Sequence, residues 1–210
     1  MKLPRISALL IRFNKPYGVL SQFTDREGRP TLADHIALPD VQVAGRLDLD
    51  SEGLMLLTDV GPLQARIAEP RFKLPKHYWV QVEGEPGADE LRRLDNAVRQ
   101  GVLLRDGIAQ ALGLRAVEAS HIPTRNPPVT AHRAARSTWL EITLTEGRNR
   151  QVRRMLASLG LPVLRLLRTQ IGPITLQGLA PGAWEPTPVP AEWARGAKGD
   201  RRNRFSRSNH

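Results

Sequence analysis

Polar and apolar positions change period several times along this chain, so strands and helices are expected to be interleaved. From His77 to Glu83, Tyr78, Val80 and Val82 alternate with His77, Trp79 and Gln81, the period of two of a half-covered strand. Trp139 to Thr145 repeats it with Leu140, Ile142 and Leu144 inward. Between Asp89 and Gln100, Leu91, Leu94 and Val98 recur at helical spacing before Gly101 ends the pattern. From about Arg150 to Leu159, Val152, Met155, Leu156 and Leu159 form one stripe, which leaves Arg150, Arg153 and Arg154 free; Gly160 and Pro162 stop the helix. Ala8-Leu9-Leu10-Ile11 reads as a buried strand feeding a tight loop at Lys15 to Gly18, and Gly53 to Leu57 as a second buried strand. Thr31 and Asp34 suit the cap of a short helix ending near Pro39, and Val41 to Ala44 then reads as strand until Gly45 breaks it. Gly61-Pro62 opens a helix through Ala68 that Pro70 stops. Arg46 and Asp48 therefore fall on a loop between two strands.

This mixture predicts a single α+β domain over residues 1–190. Four prolines between Pro181 and Pro190 are read as the end of compact structure, and 191–210 as a basic, disordered tail. The 210 residues are enough for a sizeable core without disulfides or metals. No apolar run approaches the roughly 20 residues of a membrane span. Lys2 and Arg5 precede a short apolar stretch that lacks a small-residue cleavage site, so a first strand is expected there, not an export signal, and a cytoplasmic protein overall. The absence of cysteine excludes disulfides, thiolate zinc sites and cysteine nucleophiles.

A net charge of +10 favours a polyanionic partner, because neutralising phosphates releases counterions. The densest cluster is Glu146-Gly147-Arg148-Asn149-Arg150-Gln151-Val152-Arg153-Arg154-Met155, four guanidiniums on one turn and one helix start. Asp48 stands two residues after Arg46; in an extended loop both side chains point the same way, so a pair is expected that keeps the carboxylate ionised and nucleophilic. Each block alone has a plainer reading, a solvated helix face and a turn aspartate. Asp48, Asp50, Glu52, Gly53 and Asp59 match several positions of a calcium loop, but the fifth is Glu, the twelfth is Asp and the flanks read as strands. Histidines at 35, 77, 121, 132 and 210 lack paired ligand spacing, and no Gly-rich phosphate loop occurs, so neither metal nor cofactor is expected.

With Lys15-Pro16-Tyr17-Gly18 and Lys76-His77-Tyr78, the Gly45-Arg46-Leu47-Asp48 and arginine-rich blocks fall in the order of the pseudouridine synthases of the small-subunit rRNA type, which the chain resembles from about residue 10 to about 188. The resemblance implies their fold, a mostly antiparallel mixed sheet in two lobes with flanking helices and a central cleft. It implies isomerisation of a uridine in ribosomal RNA without a cofactor; a monomer is expected. Asp48 takes the place of the catalytic aspartate, Tyr78 of a tyrosine that stacks on the uracil and assists proton transfer, and Arg148 of a basic residue pairing with the aspartate opposite Arg46. Lys15, Arg150, Gln151, Arg153 and Arg154 are the expected RNA contacts. Only fourteen residues precede Lys15, so the S4-type RNA-binding module of many relatives is expected to be absent, which favours large-subunit rRNA as the target. Two other classes remain open: a non-catalytic rRNA-binding or ribosome-assembly protein, which needs the arginines but not Asp48, and a glycosidase, which normally needs two opposed carboxylates.

Overall fold

The computed structural model describes residues 8–118 and 122–194. In chain order these form β1 (Leu10–Lys15), β2 (Gln42–Val43), β3 (Glu52–Thr58), α1 (Gly61–Ala68), β4 (Lys76–Glu83), α2 (Ala88–Gln100), β5 (Val102–Leu104), β6 (Gly107–Ala109), β7 (Gly113–Ala116), α3 (Ala131–Ala134), β8 (Ser137–Leu144), α4 (Gln151–Ser158), β9 (Val163–Ile171), β10 (Ile174–Thr175), β11 (Trp184–Pro186) and α5 (Ala191–Ala194).

One sheet runs β11-β1-β3-β9-β4-β8-β7, and among the described residues β3 with β9 is its only parallel contact. That contact is short: Glu52 and Gly53 face Leu167 and Arg168, while further along β3 its edge pairs with β2 at Leu57 and Thr58. The sheet is therefore two antiparallel halves joined at a narrow seam. The loop from Ala44 to Ser51, which carries Arg46 and Asp48, leaves β2 and returns to β3 at that seam.

β3 is buried along its whole length because apolar layers cover both faces. Met55 and Leu57 belong to the larger core with Phe13, Val80 and Met155; Leu54 and Leu56 belong to a second with Leu63, Ile67 and Trp193. Two-sided burial explains the unbroken apolar run, whereas β8, covered on one face, buries Leu140, Ile142 and Leu144 alternately. On α2, Leu94 and Val98 are buried; on α4, Val152, Met155 and Leu156 are.

Three expectations need correction. The helix after Thr31 is a single 3-10 turn, Leu32–Asp34, closed by a capping box in which Thr31 and Asp34 satisfy each other's backbone. β1 continues through Lys15, since β3 supplies partners as far as Gly53, so Lys15 is a strand residue and not part of the loop. Compact structure also extends past Pro190: Trp193 on α5 is almost fully buried in the second core, against Gly172. The rest of the expected tail, 195–210, lies outside the described residues.

Candidate active site

The loop carrying Asp48 is held from below by two buried cations. Arg168 of β9 sits at the seam and donates from Nε to the carbonyl of Leu54 at 2.7 Å, from Nη2 to Gly45 at 3.1 Å and from Nη1 to Arg46 at 3.5 Å. Lys15, fully buried, donates from Nζ to the carbonyls of Val19 at 2.6 Å, Pro16 at 3.0 Å and Leu49 at 3.5 Å. Burial lowers its pKa to about 8 although Glu52, Asp50 and Asp48 oppose that shift. The bonds to Gly45, Arg46, Pro16 and Val19 satisfy loop carbonyls that accept from no backbone N–H among the described residues. Lys15 is thus a brace under the loop, and the expectation that it contacts RNA is corrected by its burial.

From above, the turn before α4 closes on the same loop. Arg150 adopts a left-handed conformation (φ 47°), which turns its side chain back toward the aspartates. Its guanidinium holds Asp50 through two 2.9 Å hydrogen bonds and lies 3.6 Å from Asp48 Oδ2. Arg153 adds 2.8 Å to the Asp50 carbonyl and 3.4 Å to its carboxylate. Burial would raise the pKa of Asp50, but Arg150 and Arg153 outweigh it and hold it below the ordinary value. Asp50 anchors Arg150; Asp48, about one third exposed, accepts from Ser51 N only at its main-chain carbonyl, and its carboxylate accepts no hydrogen bond among the described residues. Its carboxylate is close to a fixed positive charge and still open on the cavity side, as a nucleophile requires.

The cavity in front of Asp48 has a volume of about 470 Å³, within the range of small-ligand sites. Arg46, Tyr78, Arg148 and Arg150 line it with Asp48. Tyr78 reaches it because the strand alternation puts it on the inner face of β4, opposite Arg168 of β9.

Several expected roles shift. Arg46 is exposed at the rim and makes no ion pair with Asp48, because residues 46 to 48 are not extended strand and the same-side rule fails there. Arg148 does not pair with Asp48 either: it donates to the carbonyls of Ile108 at 2.8 Å and Asp106 at 3.4 Å and pairs with Glu146 at 3.3 Å. Arg150, expected as an RNA contact, takes the place beside Asp48 that was expected for Arg148. Gln151 is buried, accepting from Arg148 N at 3.0 Å and donating to Glu146 at 2.6 Å, so it shapes the turn and does not face a ligand. Arg153 also donates to the Val163 carbonyl and is mostly buried, and Arg154 forks onto Asp106 at 2.7 and 3.0 Å. The helix face expected to be free is therefore largely engaged within the protein. Of the calcium-like residues, Glu52 forms a buried two-pronged pair with Arg165 at 2.7 and 2.9 Å.

Sequence reasoning gave no site role to Arg168, or to Lys76 and Glu146 although both stand in the quoted motifs; all three line the cavity. Lys76 had a legible signal, since it shares the parity of Tyr78 along β4 and so its face. Glu146 had none: it is a second cavity carboxylate, but Gln151 and Arg148 occupy both its oxygens.

An aspartate carboxylate facing an arginine-lined cleft in a seamed, mostly antiparallel sheet marks a class that sequence comparison makes explicit. The family model described as RNA pseudouridylate synthase matches residues 10–158, and the chain belongs to that family. It is 52% identical over 182 residues to ribosomal large subunit pseudouridine synthase E of Vibrio vulnificus (strain CMCP6), covering 87% of this chain and 76% of that one. It is 53% identical over 181 residues to the protein of the same name from Xanthomonas campestris pv. campestris, covering 84% and 94%. Among solved structures, a crystal structure of a pseudouridylate synthase superposes with a TM-score of 0.70 at 27% identity, over 91% of this chain and 74% of that one. The expected fold class is borne out. Among the described residues no helix is long and apolar enough to cross a membrane.

Proposed function

We propose that this protein isomerises one uridine of large-subunit ribosomal RNA to pseudouridine, with Asp48 as the nucleophile. The observation that carries this reading is a half-open carboxylate held 3.6 Å from Arg150 beside Tyr78 in an arginine-lined cavity. The names of the Vibrio and Xanthomonas relatives supply the RNA class. The reaction breaks the N-glycosidic bond, turns the uracil and forms a carbon–carbon bond to the same ribose carbon, so atoms balance without a co-reactant. A base in folded RNA must first be everted, at a cost of a few kcal/mol that phosphate contacts offset. Arg46 and Arg148 at the rim are suited to those contacts, Arg150 to keeping positive charge beside Asp48, and Tyr78 to stacking on the uracil and assisting removal of its C5 proton. In this reading the protein acts as a monomer in the cytoplasm, with 8–194 as the catalytic domain.

The test is to map pseudouridines in rRNA from cells lacking the protein and to restore the missing one with purified protein. An unchanged map, with no product in vitro, rejects the reading. Two further results are expected. Arg150→Met should lower single-turnover rate about tenfold or more, the worth of a charge-assisted contact, while Arg46→Met should mainly weaken RNA affinity; equal rates for wild type and Arg150→Met would contradict the first. RNA affinity should fall with salt at a log–log slope of about −1.4 or steeper, if the two rim arginines meet phosphates. Filter binding across a salt series reads it, and a flat series removes the arginines from recognition.

A further inference from the structure

Two lysines are buried beside the Asp48 loop, and they differ in their partners. Lys15 is surrounded by carbonyls and faces Glu52, Asp50 and Asp48. The Lys76 ammonium makes one hydrogen bond, a long 3.3 Å contact to the Leu74 carbonyl, and no carboxylate lies within ion-pair distance of it among the described residues. The charge acting on it most is Arg168, of the same sign. A buried ammonium so short of partners destabilises the fold where it stands. It lines the cavity, two residues before Tyr78 and on the same face of β4.

We propose that the Lys76 ammonium hydrogen-bonds a carbonyl oxygen of the target uracil and stabilises the negative charge that develops on the ring during isomerisation. This rests on the uridine-isomerising function proposed above. When the bond from N1 to the ribose breaks, its electron pair enters the uracil and spreads onto the ring carbonyl oxygens. The ring then turns, C5 bonds to the ribose carbon, C5 loses its proton and N1 gains one. If Asp48 instead adds to the pyrimidine ring, charge again collects on a ring carbonyl, so the lysine serves either course. Preorganised donors aimed at developing charge in a water-poor site give large rate effects. Lys76 needs no proton transfer for this role, only its charge. Burial, and secondarily Arg168, lower its pKa to about 8, which leaves it mostly protonated near neutral pH. The other charged groups around the cavity are Asp48, Glu146, Arg46, Arg148 and Arg150.

The test compares wild type, Lys76→Met and Lys76→Gln in single-turnover pseudouridine formation, RNA affinity and thermal unfolding, on RNA carrying uridine, 2-thiouridine or 4-thiouridine at the target. Lys76→Met should slow the reaction about 100-fold, with affinity within about twofold and melting temperature equal to or above wild type; Lys76→Gln, a neutral donor, should fall between. Sulfur at the contacted oxygen weakens the hydrogen bond, so one thio-substitution should slow wild type and have little further effect on Lys76→Met. The proposal is overturned by a Lys76→Met rate within about threefold of wild type, by thio effects that multiply fully with the mutation, or by loss of rate together with loss of melting temperature. Wild type that forms no pseudouridine would instead overturn the underlying function, a result distinct from any of these.

Discussion

Replacing Asp48 by asparagine should reduce pseudouridine formation to below about 10⁻⁴ of the wild-type rate, the loss seen when an obligatory nucleophile is removed. The amide is nearly the same size, and no hydrogen bond to the Asp48 carboxylate is lost among the described residues. Removing a negative charge from an arginine-lined cleft should leave RNA affinity unchanged or slightly higher. Asp50→Asn makes the contrast: it weakens the fork that holds Arg150, so the rate should fall only about tenfold. Single-turnover assays on rRNA transcripts with parallel binding measurements separate the two effects. Product from Asp48→Asn at the wild-type rate would eliminate the nucleophile assigned here. An unmodified transcript with every variant, wild type included, would favour the non-catalytic RNA-binding alternative, which needs the arginines but not this aspartate. The glycosidase alternative is weakened by Glu146, because the second cavity carboxylate is held by Gln151 and Arg148 and is not free to act as a matched acid.

What could be read from the sequence depended on whether a residue's partners are local. β4, β8, α2 and α4 follow from periodicity because each buries one face against a continuous layer. The position of Asp48 between two strands follows from Gly45 and the apolar run after it. β9 was not legible. It buries Leu166 and Leu167 together with Arg165 and Arg168, so its charges look solvated in sequence while in the fold one meets Glu52 and the other caps loop carbonyls. The same limit explains the arginine assignments. Which guanidinium meets Asp48 depends on the left-handed backbone of Arg150, a conformation rare for a non-glycine residue and unmarked in the sequence. Hairpin β5–β6 was missed too, yet it supplies the carbonyls that hold Arg148 off Asp48 and the carboxylate that draws Arg154 away from the cleft.

Gly53→Ala should be the most damaging small substitution in the chain, although Gly53 touches no proposed substrate group. Gly53 lies where β3 meets β9, with φ at +100°, a conformation that L side chains rarely adopt. A methyl there would run into the carbonyl oxygen of Arg168 and lie 2.8 Å from its nitrogen, and backbone cannot swing aside as a side chain can. Strain plus overpacking should destabilise the fold by about 3 kcal/mol or more, which lowers the melting temperature by roughly 6 to 12 °C for a chain of this size. The chemistry should suffer as well. Any parting of the strands moves Arg168, whose donors fix Gly45, Arg46 and Leu54, and with it the loop that aims Asp48. The remaining folded protein should therefore be slow even at low temperature. Gly147→Ala is the control: it sits in the arginine-rich block, but its φ is unexceptional and nothing lies within 4 Å of the added carbon, so stability should change by less than about 0.5 kcal/mol. Thermal and urea unfolding of both variants, with turnover measured well below the transition, gives the comparison. A Gly53→Ala protein as stable and as fast as wild type would mean that the seam does not hold the catalytic loop in place.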